Sequence, residues 1–546
     1  MTPARSLWLF AGCACLLALA LVFQPFPPCV DYPQHLATAN SLREVLQGGK
    51  GGQLVLVSYN GLFELCSALL GLVLPLELAG RVVLAIGFSL QPFAIWRLVR
   101  FSGRPPAYAF AWLPCAYSFC LAWGFINFVM GAALATLTLL AWFEAKPVFH
   151  VVLLSLITAY AHVLGAGLVL LGMLIGVWSR FRGPRALLLG APLALYTAWA
   201  HFETDFAPRQ GRGWSVIFPR WSERFSLAKT LLGSWSGSWD ERAVVVLVLI
   251  VAGLCVAALI DRERARWMPH GFCWVFVTVW LLYAAMPVEF HDCWSLFHRF
   301  GHVGLLWLPA VLPDFPPATR IRSVAERALA LLGVLATLNF AAHISRDAEA
   351  GDANAILMEI PRGSHVMFIS YDWSREPMTD DWTWLHFAAY ARVRRGSEIP
   401  VLFAREHWTF PVHESWPEDV PLPPASAPWH TSYDPEADYA RFFNVVLART
   451  SDNKPDREPK QRLFGKDEKQ ATLLAHHGRF WLYRFVPDDG RPLRDSELAR
   501  AARKPFAPPS ALEARASVAP NDDLDAQRSA PGTSSRPPNP APSILR

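Results

Sequence analysis

The sequence has few charged residues for its length. Only 17% of its 546 residues are Asp, Glu, Lys or Arg, while 53% are hydrophobic; soluble domains contain about 25% charged residues. The formal net charge of +5 is also small, so no nucleic-acid partner is expected. Instead, many apolar runs approach the roughly 20 residues that span a bilayer. This pattern predicts a polytopic α-helical membrane protein.

Cysteine is scarce and does not occur in metal-binding pairs. None of the nine cysteines forms a C-x-x-C pair, and none follows Cys293. We therefore expect no metal or other cofactor. One alternative is a divalent metal held by His298 and His302, which have i, i+4 spacing, with His291 and Asp292 nearby. Scattered loop histidines are more often unliganded, so this alternative is the weaker one.

Basic clusters between the apolar runs orient the helices. The apolar segment from Gly61 to Leu74 either spans the membrane or lies at its surface. If it lies at the surface, the basic clusters from residues 97–104 to 319–327 all face the cytoplasm, as positive residues prefer. We therefore predict about eleven spans, at residues 6–24, 78–99, 106–123, 126–143, 148–162, 163–178, 185–201, 243–260, 271–287, 300–313 and 324–343.

The composition changes after the last predicted span. A segment at 380–396 has the pattern of an amphipathic helix closed by Gly396. Apolar runs typical of strands, the last of them a hairpin, occur at 365–370, 401–404, 444–449 and 471–485. The end of the chain is rich in Pro, Ala, Ser and Arg and should be disordered. The predicted domains are a transmembrane domain at 1–346, an extracytoplasmic α/β domain at 347–487 and a disordered tail at 488–546.

A polar patch follows the first apolar run. Residues 29–36 read CVDYPQHL, and apolar residues then recur at helical spacing up to Leu46. This spacing predicts a short amphipathic helix along the membrane surface. Asp31 has the position of its N-cap, with Pro33 in the first turn and Gln34 three residues on. Capping is therefore one explanation of Asp31.

Capping leaves Tyr32 and His35 unexplained, and a second explanation is catalytic. A carboxylate beside a membrane can act as a general base that takes a proton from an acceptor hydroxyl or amine. If a lipid phosphate departs in that reaction, cationic groups must stabilise it. Arg299, at the start of the tenth predicted span, is the first candidate and Arg81 the second. The predicted site is Asp31 as the catalytic residue, with substrate-binding residues Tyr32, His35, Arg81, His162, His298 and Arg299.

These features resemble the membrane-embedded glycosyltransferases of the GT-C fold, which include protein O-mannosyltransferases and aminoarabinose transferases of lipid A. The shared features are Asp31 within VDYPQHL after a first span, a juxtamembrane helix, LPLELAGRVVLA at 74–85, many spans and a soluble domain beyond them. In the order of its helices and loops, the sequence resembles this family over roughly residues 1 to 343. Tyr32 stands where many relatives have a second acidic residue.

The resemblance implies that Asp31 activates the acceptor and that the donor is a polyprenyl-phosphate-type sugar. It also implies a bacterial plasma membrane location, with the C-terminal domain outside the cytoplasm. The partners would be a lipid-linked sugar donor, membrane lipids, and an envelope glycan, lipid or protein as acceptor. Two other classes stay open, a membrane transporter or flippase and a non-catalytic envelope assembly protein. Transporters usually have internal repeats and polar sites near the midplane, and the sequence has neither feature.

Overall fold

The computed structural model describes most of the chain. The described residues are 2–49, 52–55, 57–179, 183–205, 216–219, 238–268, 270–290, 293–345, 349–371, 384–406, 410–414, 433–435, 439–450 and 458–487. The tail predicted to be disordered, residues 488–546, lies outside them.

Helices form most of the described chain. They are α1 (Pro3–Phe23), α2 (Tyr32–Leu46), α3 (Leu62–Leu70), α4 (Leu76–Phe101), α5 (Phe119–Trp123), α6 (Ile126–Phe143), α7 (Val148–Ala161), α8 (Val163–Trp178), α9 (Ala191–Asp205), α10 (Ser238–Ile260), α11 (His270–Ala285), α12 (Leu296–Val311), α13 (Arg320–Ser345), α14 (Ala350–Glu359), α15 (Ala389–Arg395), α16 (Phe403–Glu406), α17 (Tyr439–Phe442) and α18 (Lys460–Phe464). Within the described residues, five helices are long and apolar enough to cross a membrane, and three shorter apolar helices have 10–17 residues. The chain is thus an α-helical membrane protein, and the count of eleven spans remains a prediction.

Each predicted span contains a described α-helix, but in two of them a 3₁₀ helix comes first. Residues 106–123 contain a 3₁₀ helix (Pro106–Cys115) followed by the short α5, and residues 185–201 contain a 3₁₀ helix (Pro184–Gly190) followed by α9. The continuous helix predicted at 106–123 is wrong. Pro114 has no N–H to donate to a helical hydrogen bond, and Gly124 ends α5 in the left-handed conformation at φ +90°.

The ambiguous segment from Gly61 to Leu74 forms only the nine-residue helix α3. At 1.5 Å per residue such a helix is about 14 Å long, less than half of the roughly 30 Å hydrocarbon core. This length supports the prediction that the segment does not span the membrane, which stays a prediction.

The two ends of α4 contact different parts of the protein. Near its C-terminal end, Arg104 donates from Nη1 to the carbonyl of Arg266 at 2.7 Å, so two predicted cytoplasmic clusters meet there. At its N-terminal end, Glu77 accepts from Arg394 Nη2 at 2.7 Å. A helix of 26 residues is about 39 Å long. The basic clusters and the C-terminal region, which is the part of the chain after α13, therefore lie at opposite ends of the membrane bundle.

The C-terminal region is built on a mixed sheet. The strands in the described residues are β1 (Gln53–Leu54), β2 (Val216–Ile217), β3 (Glu289–Phe290), β4 (Cys293–Trp294), β5 (Val366–Ser370), β6 (Val412–His413), β7 (Val445–Arg449), β8 (Ala471–His477) and β9 (Phe480–Phe485). The main sheet has the order β5-β7-β9-β8, with β5 and β7 parallel and the other pairs antiparallel. Strands predicted at 365–370 and 444–449 and the hairpin at 471–485 are confirmed.

Two other predictions for this region need correction. Residues 401–404, predicted as a strand, instead lead into α16, because Val401 and Phe403 bond to α2 rather than to the sheet. Of the helix predicted at 380–396, residues 380–383 lie outside the described chain, and the described part is an α-helix only from Ala389, where α15 begins. Its predicted end is confirmed, with Gly396 at φ +63°.

The two faces of the main sheet join different cores. Met367 and Ile369 pack in a core of the C-terminal region itself. Val366 and Phe368, which alternate with them on the strand, belong to the core that continues into the membrane helices. Phe26 contributes to that continuous core from the loop after α1, with its ring 4.9 Å from Tyr390. The C-terminal region is thus packed directly on the first loop.

Helix α2 does not lie open on the membrane surface as predicted. All its residues from Tyr32 to Leu42 are buried. Helices α15 and α16 cover one side of it, and α3 packs on another. The amphipathic pattern gave the helix correctly, but the polar face meets protein rather than water.

The separation of the two ends of α4 generates a topology prediction. Because positive loops prefer the cytoplasm, we expect the C-terminal region to be outside it. Alkaline phosphatase fused to the end of the full chain should be active, and a green fluorescent protein fused there should be dark. A bright fluorescent fusion with inactive phosphatase would place the C-terminal region in the cytoplasm.

Candidate functional site

The turn between α1 and α2 holds Asp31 against the membrane bundle. The backbone N–H of Asp31 donates to the carbonyl of Trp123 at 2.9 Å. Gly124 packs on the same atoms, and a Cβ there would lie 2.6 Å from the Asp31 nitrogen. With its φ of +90° as well, this position requires glycine. Asp31 is only 8% exposed as a result.

The explanation of Asp31 as a helix cap is wrong. Its side chain makes no hydrogen bond to the N-terminus of α2. The backbone of Asp31 is in the helical region, at φ −86° and ψ −6°, whereas an N-cap residue is typically extended. Its carboxylate faces the C-terminal region instead, with Oδ1 lying 3.3 Å from Nε2 of His386.

His35, one turn after Asp31, belongs to a buried network with two bundle residues. Its Nδ1 bonds to Oε1 of Glu64, and its Nε2 lies 3.1 Å from the carbonyl oxygen of Gly124. The Gly124 carbonyl only accepts, so Nε2 donates to it, and with an ionised Glu64 carboxylate Nδ1 donates as well, which makes the ring an imidazolium. The other oxygen of Glu64 accepts from Asn127 Nδ2 at 2.8 Å.

The charge state of His35 follows from opposing effects. Burial lowers the pKa of the imidazole and is the largest single effect, while the charge and the hydrogen bond of the Glu64 carboxylate are the main effects that raise it. Asp31 and the Gly124 carbonyl act in the same direction. The pKa of His35 is therefore raised above its ordinary value, and a buried ion pair ties α2 to α3.

Tyr32 and Arg81, two predicted substrate-binding residues, lie beside this network. Tyr32 is fully buried, and its hydroxyl has no hydrogen-bond partner within the described chain. Burial chiefly raises the pKa of Tyr32 well above its ordinary value. Arg81, on α4, donates to the backbone carbonyls of Glu77 at 3.2 Å and Gln24 at 3.4 Å. Their binding roles remain predictions.

A second cluster brings Arg299 and His162 together, although 137 positions separate them in the sequence. Nη1 of Arg299, on α12, lies 2.8 Å from Nε2 of His162, at the junction of α7 and α8. The guanidinium also lies over the ring of Phe125, 4.2 Å from its centroid, and near Phe128. Such cation–π contacts favour this position of the half-buried guanidinium.

Two further histidines of α12 face separate partners. His298 Nδ1 lies 2.7 Å from the hydroxyl of Ser295, and its ring stacks on Phe119. His302 Nδ1 lies 2.8 Å from the hydroxyl of Ser118. In the described residues, no group of three or more potential ligands is arranged to hold a metal ion. The weaker alternative of a metal here also involved residues 291 and 292, which lie outside the described chain.

One stretch of chain joins the two clusters. Trp123 and Gly124 provide the carbonyls that hold Asp31 and His35, and the next residue, Phe125, carries Arg299 on its ring. The backbone of Asp31 and the guanidinium of Arg299 are therefore positioned by Trp123 and Phe125, at the junction of α5 and α6. Such a site combines a proton acceptor with a cation suited to an anionic leaving group.

Sequence reasoning missed Glu64, Asn127 and His386. Glu64 had a usable signal, because a lone carboxylate in the apolar run GLFELCSALL is costly near a membrane and marks a functional or structural site. His386 had none, since its proximity to Asp31 depends on how the C-terminal region packs.

The arrangement of helices and the sheet region has the fold of the GT-C membrane glycosyltransferases, as the resemblance predicted. The chain is similar to the crystal structure of ArnT from Cupriavidus metallidurans bound to undecaprenyl phosphate, with a TM-score of 0.50 and 10% sequence identity. The match covers 90% of this chain and 100% of that chain. No family model and no curated protein matches the sequence. At this identity the likeness establishes the fold.

The His35–Glu64 pair gives a stability prediction. Because the folded-state pKa of His35 is raised above 6.5, the pair contributes fully at pH below about 6.5, and its contribution is lost as pH rises through the raised pKa. Glu64→Gln should lower the free energy of unfolding by roughly 1–3 kcal/mol at low pH. Thermal unfolding of the purified protein between about pH 5.5 and 8.5 measures this difference, which should shrink at high pH.

Glu144→Gln is the matched control. Glu144 pairs with Arg97 at 3.0 Å at the other end of the bundle, with side chains 22% and 33% exposed. Its loss should cost at most about 1 kcal/mol with no dependence on pH in this range. A Glu64→Gln variant as stable as the parent at low pH would contradict the ion pair.

Proposed function

We propose that the protein is an integral-membrane glycosyltransferase that moves a sugar from a polyprenyl-phosphate-type donor to an acceptor. The observation that carries this proposal is the placement of Asp31. It is a nearly buried carboxylate at one end of a membrane bundle, it does not cap its helix, and it retains 12% side-chain exposure. The likeness in fold to ArnT, whose crystal structure has undecaprenyl phosphate bound, supports the lipid-linked donor.

In the proposed reaction Asp31 acts as a general base. Its carboxylate takes the proton of an acceptor hydroxyl or amine, and the acceptor attacks the sugar carbon bonded to the lipid phosphate. The bond between that carbon and the phosphate oxygen breaks, and the lipid phosphate leaves with both electrons. The products are the glycosylated acceptor, the lipid phosphate and a protonated Asp31. The neighbouring His35–Glu64 pair is internally neutralised and holds α2 in place.

Arg299 is the proposed partner of the leaving phosphate. A guanidinium presents planar donors that match phosphate oxygens, and Phe125 and His162 fix its orientation. Charge that develops on the leaving oxygen is stabilised most by donors already in position. Arg81 is the second candidate for this role, and Tyr32, His35 and His298 remain predicted contacts of the substrate.

The sidedness of the reaction follows from the basic clusters. Asp31 lies at the end of the bundle opposite the contact of Arg104 with Arg266. Since the basic end should face the cytoplasm, we place the site at the outer face of the bacterial plasma membrane. An envelope glycan, lipid or protein would then be the acceptor, and the C-terminal region would be extracytoplasmic.

Asp31→Asn tests the role of the carboxylate. Asparagine keeps the size of the side chain and removes the proton acceptor, so the rate of transfer should fall by roughly 10²-fold or more. The envelope glycans of a deletion strain are compared with those of the parent, and the missing sugar is then quantified after complementation with each variant. Asp31→Asn should fail to restore it, while thermal unfolding shows that the variant is folded.

Asp261→Asn is the control for this experiment. Asp261 follows α10, where it pairs with Arg264 at 3.6 Å, and its side chain is 33% exposed. It should restore the glycan fully. Full restoration by Asp31→Asn as well would overturn the proposed mechanism and favour a transporter or an assembly protein.

A further inference from the structure

A histidine of the C-terminal region is the side-chain partner of Asp31. His386 lies just before α15, and its Nε2 is 3.3 Å from Asp31 Oδ1. The two side chains are 9% and 12% exposed. Its ring packs edge-on against Phe403, with centroids 5.7 Å apart, and Phe403 also contacts His35. The pair is therefore enclosed between α2 and the C-terminal region.

The surrounding hydrogen bonds determine which nitrogen of His386 carries the proton. The side-chain oxygen of Gln34 accepts from the backbone N–H of Phe403 at 3.3 Å. Its amide nitrogen donates to the carbonyl of Val401 at 2.9 Å and lies 3.5 Å from His386 Nδ1. Because an amide nitrogen only donates, Nδ1 is the accepting nitrogen. The proton of neutral His386 is thus on Nε2, which faces Asp31.

The other groups around Asp31 do not replace this donor. His35 is on the same helix, and its two nitrogens are already bonded to Glu64 and to the Gly124 carbonyl. At the end of α5, the carbonyl of Trp123 accepts a hydrogen bond from the backbone N–H of Asp31. A carbonyl cannot donate a hydrogen bond to the Asp31 carboxylate. Among the described residues, the titratable groups that bear on Asp31 are therefore His386 from the C-terminal region, His35 from α2 and, through His35, Glu64 from α3.

We propose that His386 is a positioning residue for Asp31. The proton on its Nε2 faces one carboxylate oxygen, 3.3 Å away, and orients the carboxylate so that the second oxygen is left to accept a proton. The C-terminal region is thus part of the catalytic site, and its docking on α2 completes that site. A small pocket of about 20 Å³ next to His386 and Gln34 has room for one water. This inference rests on the proposed function only for the use of Asp31 as a base.

The ionisation of Asp31 can be measured without any substrate. A hydrophobic carbodiimide reacts with protonated carboxyl groups, so labelling of the Asp31 peptide in the purified full-length protein, followed by mass spectrometry across pH, gives the midpoint of its ionisation. His386→Phe keeps a ring against Phe403 but removes the donor, and it should raise that midpoint by about one pH unit. His386→Ala should do the same, while His386→Gln should restore the midpoint because its amide N–H can donate.

Labelling of Asp314, at the basic end of the bundle, should not change in any His386 variant. A midpoint for Asp31 that is the same in His386→Phe and the parent would overturn the inference. An equal shift in His386→Gln and His386→Phe would overturn it too, since the donor would then be irrelevant. If the midpoint shifts as expected but Asp31→Asn restores the envelope glycan, the proposed function fails and the pairing of His386 with Asp31 stands.

Discussion

The burial of the first loop imposes the constraint on which the site depends. From Tyr32 to Leu42 every residue of α2 is buried, and buried polar groups must find partners or destabilise the fold. The bundle provides Glu64 and the Gly124 carbonyl for His35. The C-terminal region provides the backbone of Val401 and Phe403 for Gln34. Satisfying these groups fixes α2 between two layers and brings Asp31 to a defined position between them.

The same constraint also links Asp31 to Arg299, because consecutive residues of one stretch contact both. Trp123 and Gly124 use their carbonyls for Asp31 and His35, and the ring of Phe125 then lies under Arg299. Residues 123–125, which provide hydrogen-bond acceptors for the buried Asp31 and His35, thereby also orient the guanidinium of Arg299. Gly124, which is in the left-handed conformation, lies between Trp123, which binds the backbone of Asp31, and Phe125, which packs on Arg299.

Much of the helical plan was predictable because spans depend on local composition, as α1, α4 and α6 illustrate. The short α3 followed from charge distribution, and β7 and the β8–β9 hairpin followed from local apolar pattern. The break at residues 106–123 was missed because hydropathy weighs apolar content and ignores the prolines. The positions of Asp31 and Arg299 at helix ends were predictable, and their roles in the site stay predictions. The contact of His386 with Asp31 was not, since it arises from long-range packing that no local pattern encodes.

Binding of undecaprenyl phosphate to the purified protein tests the central claim most directly. If Arg299 holds the lipid phosphate, Arg299→Ala should weaken binding at least about tenfold, or roughly 1.4 kcal/mol, and Arg299→Lys should weaken it less, because it keeps the charge without the planar donors. Arg97→Ala, which removes an arginine paired with Glu144 at the other end of the bundle, should bind as the parent does. Equal affinity of Arg299→Ala and the parent would contradict the account.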